Sequence, residues 1–365
     1  MRAVVQDALW RVLVVRLVAT FCPDGVISLD ADDTLYKKTG RKVSGAGIFR
    51  DAVASTRSRV VYALGLNLVV VTLRVTPPWG GCPIALPVGV RLHRKGGPTT
   101  IDLAEQILRQ ISEWLPGRAL SLCADGAYAT LLGRGLPNTV VTSRLRRDAA
   151  LYEAAPPPTG KRGRPRTRGN RLATPAAMAK GLANKAFVVA PLDWRGASTV
   201  RLTWTRRVLW YSVDNTRLVT LVIVRDPHGT CPDDFFVTDD DNASGADVAS
   251  RYAGRWSIEI CFREVKQCLH AEDPQSWKGE GPERAAALSL WLHSAIWTWH
   301  ITVYGTKHTW TPRPWYPNKT TPSFIDALAS LRRTLWSERI TSMSSATPHH
   351  PKILDGILDM LASAA

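Results

Sequence analysis

The sequence predicts an α/β protein with a mixed sheet flanked by helices, interrupted by a β-rich insertion and followed by a helical C-terminal tail. Three observations support this prediction. Strand-like and helical runs alternate up to residue 147, short strand-like runs dominate residues 172–240, and helical periodicity takes over from Asp247. A chain of 365 residues is long enough to bury a substantial core around such a sheet.

Residues 25–147 form the first part of the predicted core. Gly25–Asp32 alternates between apolar and polar side chains, as a half-buried strand does. A hairpin, a helix, a strand, a helix and a strand follow, at Val60–Leu92, Thr100–Leu115, Ala119–Ala124, Ala127–Leu132 and Thr139–Ser143. Asp32 and Asp125 therefore stand at the ends of two strands, where the functional sites of α/β sheets gather.

Residues 1–24 are predicted to form a short N-terminal helix. Its apolar run, Ala8–Phe21, contains Arg11 and Arg16, and no other segment reaches the roughly 18 apolar residues of a membrane span. No membrane interaction is expected. The six cysteines show no CxxC pair and no zinc-site spacing, so we expect reduced thiols in a cytoplasmic protein.

The second half of the chain divides into an insertion, a return to the core and a tail. Residues 148–246 comprise a basic loop and a β-rich insertion, with four short strand candidates between Phe187 and Val224. Residues 247–301 return to the core as helices separated by a turn region at Glu272–Pro282. Residues 302–365 are expected to be a linker and C-terminal helices.

The net charge of +16 indicates a polyanionic partner. Nine Lys or Arg and only two acidic residues lie between Arg144 and Arg171, and Pro and Gly keep the centre of this stretch, Lys161–Arg166, extended. Its Arg162-Gly-Arg164-Pro core resembles the AT-hook, whose arginines lie along an A·T minor groove of DNA. The alternative is a solvated linker, but the overall charge favours DNA contact through Arg162, Arg164 and Arg166.

In contrast to the basic stretch, residues 226–247 are rich in acidic side chains and contain seven aspartates. Their spacing matches no EF-hand loop, and the neighbouring Pro and Asn residues are typical of turns. We expect an exposed loop that keeps DNA away from its surface.

Residues 252–266 carry the most informative pattern. In one continuous helix of about 100° per residue, five side chains would share a narrow face: Tyr252, Arg255, Glu259, Arg263 and Lys266. The opposite face is an apolar stripe that anchors the helix. On charge pattern alone, ordinary ion pairs between Glu259 and the arginines four residues to either side would explain the charged face.

The spacing Tyr-x2-Arg-x3-Glu-x6-Lys matches the Y-R-E-K signature, at Tyr252, Arg255, Glu259 and Lys266. The chain thus resembles bacterial insertion-sequence transposases with an RNase H-like DDE catalytic domain. Asp32-Asp33-Thr34 and Cys123-Ala-Asp125-Gly-Ala-Tyr128 resemble the two aspartate motifs of that family. The resemblance covers roughly residues 25–300 and implies an RNase H-like sheet with a β-rich insertion between the second Asp and the Glu.

The resemblance implies a transposase that cleaves and transfers DNA strands at insertion-sequence ends. Asp32, Asp125 and Glu259 would be the catalytic triad and would bind two Mg²⁺ or Mn²⁺ ions, with Asp33 as the alternative to Asp32. Tyr252, Arg255 and Lys266 would contact the phosphates near the cleaved strand. We add Arg263 as a further phosphate contact because it shares their predicted face.

The expected partner is double-stranded DNA, both transposon ends and target, bound by a dimer when two ends are synapsed near the nucleoid. Residues 1–24 would then be the remnant of a DNA-binding region, and the chain a shortened copy. Two alternatives stay open. One is an RNase H-like nuclease of another type, and the other is a non-catalytic, DNA-binding transposase remnant.

Overall fold

The computed structural model describes residues 2–56, 58–157, 165–194, 197–307, 310, 314, 316–343 and 351–363. The α-helices within these ranges are α1 (Arg2–Phe21), α2 (Thr100–Trp114), α3 (Pro175–Gly181), α4 (Gly245–Gly254), α5 (Ser257–Cys268), α6 (Gly281–Tyr304), α7 (Phe324–Met343) and α8 (Pro351–Ser363). The strands are β1 (Ile27–Lys37), β2 (Gly47–Arg50), β3 (Tyr62–Val75), β4 (Ile84–His93), β5 (Leu120–Ala124), β6 (Thr139–Arg144), β7 (Val188–Trp194), β8 (Ala197–Leu209), β9 (Leu218–Arg225) and β10 (Asp234–Thr238).

All ten of these strands belong to one sheet with the order β2-β3-β1-β5-β6-β10-β9-β8-β7, and β4 pairs with β3. The half of the sheet that comes first in sequence has β1 antiparallel to β3, β3 antiparallel to β4, and β1, β5 and β6 mutually parallel. This mixed arrangement, flanked by helices and followed by the helical C-terminal region, is consistent with an RNase H-like fold and confirms the predicted fold class.

The insertion extends the core sheet instead of forming a separate one. Strands β7, β8, β9 and β10 form an antiparallel meander, and β10 pairs with β6 through Phe236 and Arg144. β10 lies within the aspartate-rich segment that we had predicted to be an exposed loop. That prediction was wrong because Phe235, Phe236 and Val237 are buried, and this short apolar run supplies a central strand.

Helices cover the core part of the sheet. The β3 residues Leu66–Leu73 are buried without a break, a pattern that requires cover on both faces. Helices α1 and α2 pack against β4, and α5 and α6 pack against the same strand. Close packing is visible at Gly89, where an added Cβ would lie 2.4 Å from Cγ2 of Ile107 in α2.

The two ends of the chain are helical. Trp10, Val14 and Leu17 of α1 are buried in the main hydrophobic core, and α7 packs against both α6 and α8. No helix among the described residues is both long and apolar enough to cross a membrane.

Candidate active site

The sheet register brings Asp32 and Asp125 to the same level on neighbouring strands. Ala31 of β1 pairs with Ala124 of β5, so the next residue on each strand is an aspartate. Strand β1 was expected to end at Asp32, but it continues to Lys37 because its pairing with β3 continues to that residue. Strand β5 ends at Ala124, so from Asp32 onward β1 has no partner strand on that side.

Asp125 is held by main-chain geometry at the end of β5. It precedes a 3₁₀ helix, Gly126–Gly133, and its carbonyl oxygen accepts a hydrogen bond of 3.0 Å from the Ser143 hydroxyl of β6. This contact ties the position of Asp125 to the adjacent parallel strand.

Glu259 comes from α5 and completes a set of three carboxylates in one cleft. The cleft has a volume of about 800 Å³ and is lined by all three carboxylates, by Tyr252 and by Arg255. Further charged residues on its wall are the cations Lys37, Arg50, Arg144, Arg263 and Lys266 and the acids Asp33, Asp51 and Glu272. The structure thus places the expected triad and the four Y-R-E-K positions around one opening.

The segment 252–266 is not the single helix that we predicted. Helix α4 ends at Gly254, α5 begins at Ser257, and Arg255 and Trp256 form a two-residue turn with helix-like dihedral angles between them. The break lies beside Arg74, whose Nη1 atom would be 2.6 Å from a Cβ added at Gly254. The apolar stripe of α5 is nevertheless buried as expected, at Ile258, Cys261, Phe262 and Val265.

Arg255 lies between two of the carboxylates. Its Nη1 donates to Oδ2 of Asp32 at 2.6 Å and its Nη2 to Oε1 of Glu259 at 2.9 Å, while its side chain is only 7% exposed. Burial works against its charge, but Asp32, Tyr252 and Glu259 outweigh that cost and raise the pKa of Arg255. Its buried Nε atom has no hydrogen-bond partner among the described residues.

Asp32 has an unusual electrostatic environment. Burial raises its pKa to about 7, Arg255 opposes this shift, and the nearby carboxylates of Asp33 and Asp125 add repulsion. Asp33 is instead engaged elsewhere, because its Oδ1 accepts a hydrogen bond of 2.9 Å from the buried hydroxyl of Tyr128. Perturbed pKa values of this kind cluster at functional sites.

The other signature residues also contact the site. The Tyr252 hydroxyl donates to Oδ1 of Asp125 at 3.1 Å, and burial raises the pKa of this hydroxyl, so it remains a donor at neutral pH. Lys266 donates to the Leu35 carbonyl oxygen at 2.8 Å, and burial lowers its pKa. Arg263 is exposed on the cleft wall.

The basic loop is described only in part. Arg162 and Arg164 lie outside the described residues, and Arg166 is exposed and does not line the cleft. The chain returning from this loop is held by Arg168, whose guanidinium lies 4.5 Å from the ring of Tyr152 and 4.7 Å from the ring of Tyr211. Tyr152 also pairs with Leu209, the last residue of β8, so the described residues on both sides of the loop lie near that end of β8.

Two features of the site escaped the sequence analysis. A fully buried Asp30 pairs with Arg74, whose Nε lies 3.0 Å from its Oδ2, and Arg144 lines the cleft while bonding Asp234 at 2.6 Å. A lone arginine within the Val- and Leu-rich strand β3 was the available signal for the first, because a buried cation requires a buried partner. Arg144 was counted only as part of the basic stretch.

The aspartate-rich segment is neutralised within the protein. Six of its seven aspartates pair with an arginine: Asp226 with Arg201, Asp233 with Arg225, Asp234 with Arg144, Asp239 with Arg217, Asp240 with Arg251, and Asp241 with Arg207. The seventh, Asp247, closes a capping box with Ser244 at the start of α4. These carboxylates stabilise the insertion and do not form a free acidic surface.

The three cleft carboxylates fit a hard divalent cation by their chemistry, because Mg²⁺ and Mn²⁺ prefer oxygen ligands. In the present arrangement, no group of three His, Cys, Asp or Glu side chains in the described part of the chain could hold a metal ion. The Arg255 guanidinium bonds one oxygen of Asp32 and one of Glu259. Arg255 and a metal ion would compete for the same two carboxylates.

Comparison with known proteins decides the family. Residues 2–212, more than half of the chain, match the family described as DDE superfamily endonuclease. The chain belongs to this family. The matched residues of this DDE superfamily endonuclease include Asp32 and Asp125 and end before Tyr252, so the match does not bear on the Y-R-E-K segment. No curated protein matches the chain.

Membership in the family establishes a general function. DDE superfamily endonucleases act on DNA through nuclease or transposase-like catalysis, and they generally use divalent metals such as Mg²⁺. The cleft suits such a substrate because it combines carboxylates with Lys and Arg side chains that can contact the phosphate backbone.

Proposed function

We propose that this DDE superfamily endonuclease is a transposase that cleaves and transfers DNA strands at the ends of an insertion sequence. One observation carries the proposal. Asp32, Asp125 and Glu259 line the same cleft although they come from β1, the end of β5 and α5. Tyr252 and Arg255 of the Y-R-E-K signature bond directly to these carboxylates.

Asp32, Asp125 and Glu259 are the residues that would hold two Mg²⁺ or Mn²⁺ ions. A bound metal pair would supply activation of the attacking oxygen and neutralisation of charge on the phosphate. Asp32 is preferred to Asp33 because it follows the Ala31–Ala124 pair that sets it level with Asp125, and because it shares Arg255 with Glu259. Tyr252 keeps the Asp125 carboxylate in one orientation through its hydroxyl.

The cations of the cleft would bind the DNA backbone. Arg263 and Lys266 lie one turn apart on α5 beyond Glu259, so both can approach the strand on one side of the carboxylates. Arg144 lies at the end of β6. It is next to Asp125 across the sheet, because the residues before them, Ser143 and Ala124, are paired. Phosphates entering between these groups would pass over the carboxylates.

The basic loop would provide a second DNA contact away from the cleft, through Arg166 and the residues that precede it. Two transposon ends must be held together for transposition, so we expect a dimer when the ends are synapsed. The location of this complex would be the bacterial nucleoid.

The test is cleavage of a supercoiled plasmid that carries candidate inverted repeats, in the presence of Mg²⁺. Wild-type protein should cut the DNA, Glu259→Gln should not, and Asp241→Asn, a matched change at an exposed ion pair, should behave as wild type. Equal cutting by wild type and Glu259→Gln would reject the catalytic assignment of Glu259, whereas no cutting by either protein would favour a non-catalytic remnant.

A second assay separates a transposase from another nuclease of the same fold. Precut ends with a free 3′-hydroxyl are supplied together with a target plasmid. Joined products support strand transfer, whereas cutting without joining identifies a nuclease.

A further inference from the structure

The Arg255 guanidinium occupies the position at which the cleft most needs a cation. It lies between Asp32 and Glu259, bonds one oxygen atom of each, and is almost completely buried. Among the described residues no cation forms an ion pair with Asp125, whose carboxylate accepts from the neutral Tyr252 hydroxyl. Arg255 therefore neutralises one side of the site in the absence of metal.

This ion pair differs from the buried pair beneath it. Arg74 binds both oxygen atoms of Asp30 with two nitrogen atoms, the fork geometry that satisfies a guanidinium well. Arg255 instead divides its two Nη atoms between two carboxylates and leaves its buried Nε without an acceptor among the described residues. A buried donor without an acceptor is uncommon in native proteins and points to a partner that binds later.

A DNA phosphate has the chemistry of that partner. Its anionic oxygen atoms can accept from Nε and from an Nη atom together, so moving from the carboxylates to a phosphate would satisfy the unpaired donor. The movement would release one oxygen atom each of Asp32 and Glu259.

We propose that Arg255 is an internal counter-ion that blocks metal binding until a DNA phosphate takes its guanidinium. Metal binding and DNA binding are then coupled through one side chain, and each ligand raises the affinity for the other by the same factor. The consequence is that the free protein carries little metal and is loaded when DNA enters the cleft. This inference rests on the proposed role of Asp32, Asp125 and Glu259 as metal ligands.

The experiment measures Mn²⁺ affinity by electron paramagnetic resonance on the full chain, with and without a short DNA duplex. Wild type should bind Mn²⁺ on the order of tenfold more tightly when DNA is present, after subtraction of Mn²⁺ bound to DNA alone. Arg255→Gln should show the tighter affinity without DNA, and adding DNA should change it little.

Arg263→Gln is the matched control, because it removes one positive charge from the same cleft and leaves the Asp32–Arg255–Glu259 bonds in place. Its Mn²⁺ affinity without DNA should change less than about threefold, since an exposed charge is screened by salt. Arg255→Lys should fall between wild type and Arg255→Gln. Circular dichroism shows which variants are folded. The comparison of wild-type affinity with and without DNA does not depend on any variant.

The outcomes separate the two proposals. Equal wild-type affinity with and without DNA, abolished by Asp125→Asn, would overturn the coupling and keep the metal site. Absence of any Asp125-dependent Mn²⁺ binding would overturn the metal site and the coupling with it. Coupling in a protein that does not join DNA strands would support the role of Arg255 and reject the transposase activity.

Discussion

Two regions of this molecule pair aspartate or glutamate with arginine, and they do so differently. In the aspartate-rich segment, six aspartates each have an arginine partner, such as Asp233 with Arg225 and Asp226 with Arg201. In the cleft, Asp32 and Glu259 share Arg255, and the Asp125 carboxylate accepts from the Tyr252 hydroxyl. The ion pairs of the first region are complete, whereas in the second region one arginine serves two carboxylates.

The difference teaches what each cluster does. Arg225 also donates to the carbonyl oxygens of Ala179 and Leu182 and stacks on Phe187, so it ties α3 to the sheet. Arg255 bonds Asp32 and Glu259, lies 5.3 Å from the ring centroid of Tyr252, and has a buried Nε with no acceptor among the described residues. A complete ion pair contributes to folding, whereas an incomplete one is available for ligands.

Neutralising one carboxylate in each region gives the largest contrast. Asp125→Asn should reduce DNA cleavage roughly 10³-fold, equivalent to about 4 kcal/mol, because it removes charge from the proposed metal site. Asp233→Asn should leave the cleavage rate within about threefold and destabilise the fold, because Arg225 loses its bidentate partner. Cleavage rates and urea unfolding of both variants check this, and comparable activity loss in both would erase the distinction.

Removing the arginine of the complete region should cost the next largest amount. Arg225→Met should lower the free energy of unfolding by about 3 kcal/mol, because Asp233 and two carbonyl oxygens lose their donor. Arg207→Met, at a more exposed pair, should cost less than about 1 kcal/mol. Urea denaturation measures both, and equal losses would show that burial does not distinguish these pairs.

Crowding at the base of the cleft should have an intermediate effect. Gly254→Ala places a Cβ 2.6 Å from Arg74 Nη1, and the buried Asp30 bond restrains that arginine, so we expect a loss of about 2 kcal/mol. Gly356→Ala is the control, because it adds a methyl group in α8 where no atom lies within 4 Å. It should stabilise the protein by about 0.5–1 kcal/mol. Thermal melting of the two variants should therefore shift in opposite directions.

The smallest effects are expected from loss of a helix cap, and one of the two caps belongs to the helix that follows the insertion. Ser244→Ala breaks the capping box of α4, and Thr99→Ala breaks the equivalent box of α2. Each should cost about 1 kcal/mol. Only Ser244→Ala should also slow DNA cleavage, because α4 carries Tyr252 to Asp125. Equal cleavage by the two variants would mean that the α4 cap does not influence the site.

Local patterns predicted much of the fold. The amphipathic spacing of α2 and the parallel run of β5 and β6 lie where expected, and the Val- and Leu-rich hairpin is β3 and β4. Strand β10 was missed because its short apolar run stands among aspartates whose turn-like composition dominates the pattern. The continuation of β1 past Asp32 was missed because it depends on pairing with β3.

The sequence by itself determined the types and order of most elements, although not β10 or the break between α4 and α5, and it nominated the three carboxylates and the tyrosine, arginine and lysine near them. These properties depend on periodicity and spacing within short segments. Only the tertiary structure decided that Arg255 is buried between Asp32 and Glu259, since Asp32 lies 223 residues away along the chain. It also decided which arginine pairs with each of the six neutralised aspartates of the aspartate-rich segment. Partners of that kind are fixed by the sheet register and helix packing, which no local pattern encodes.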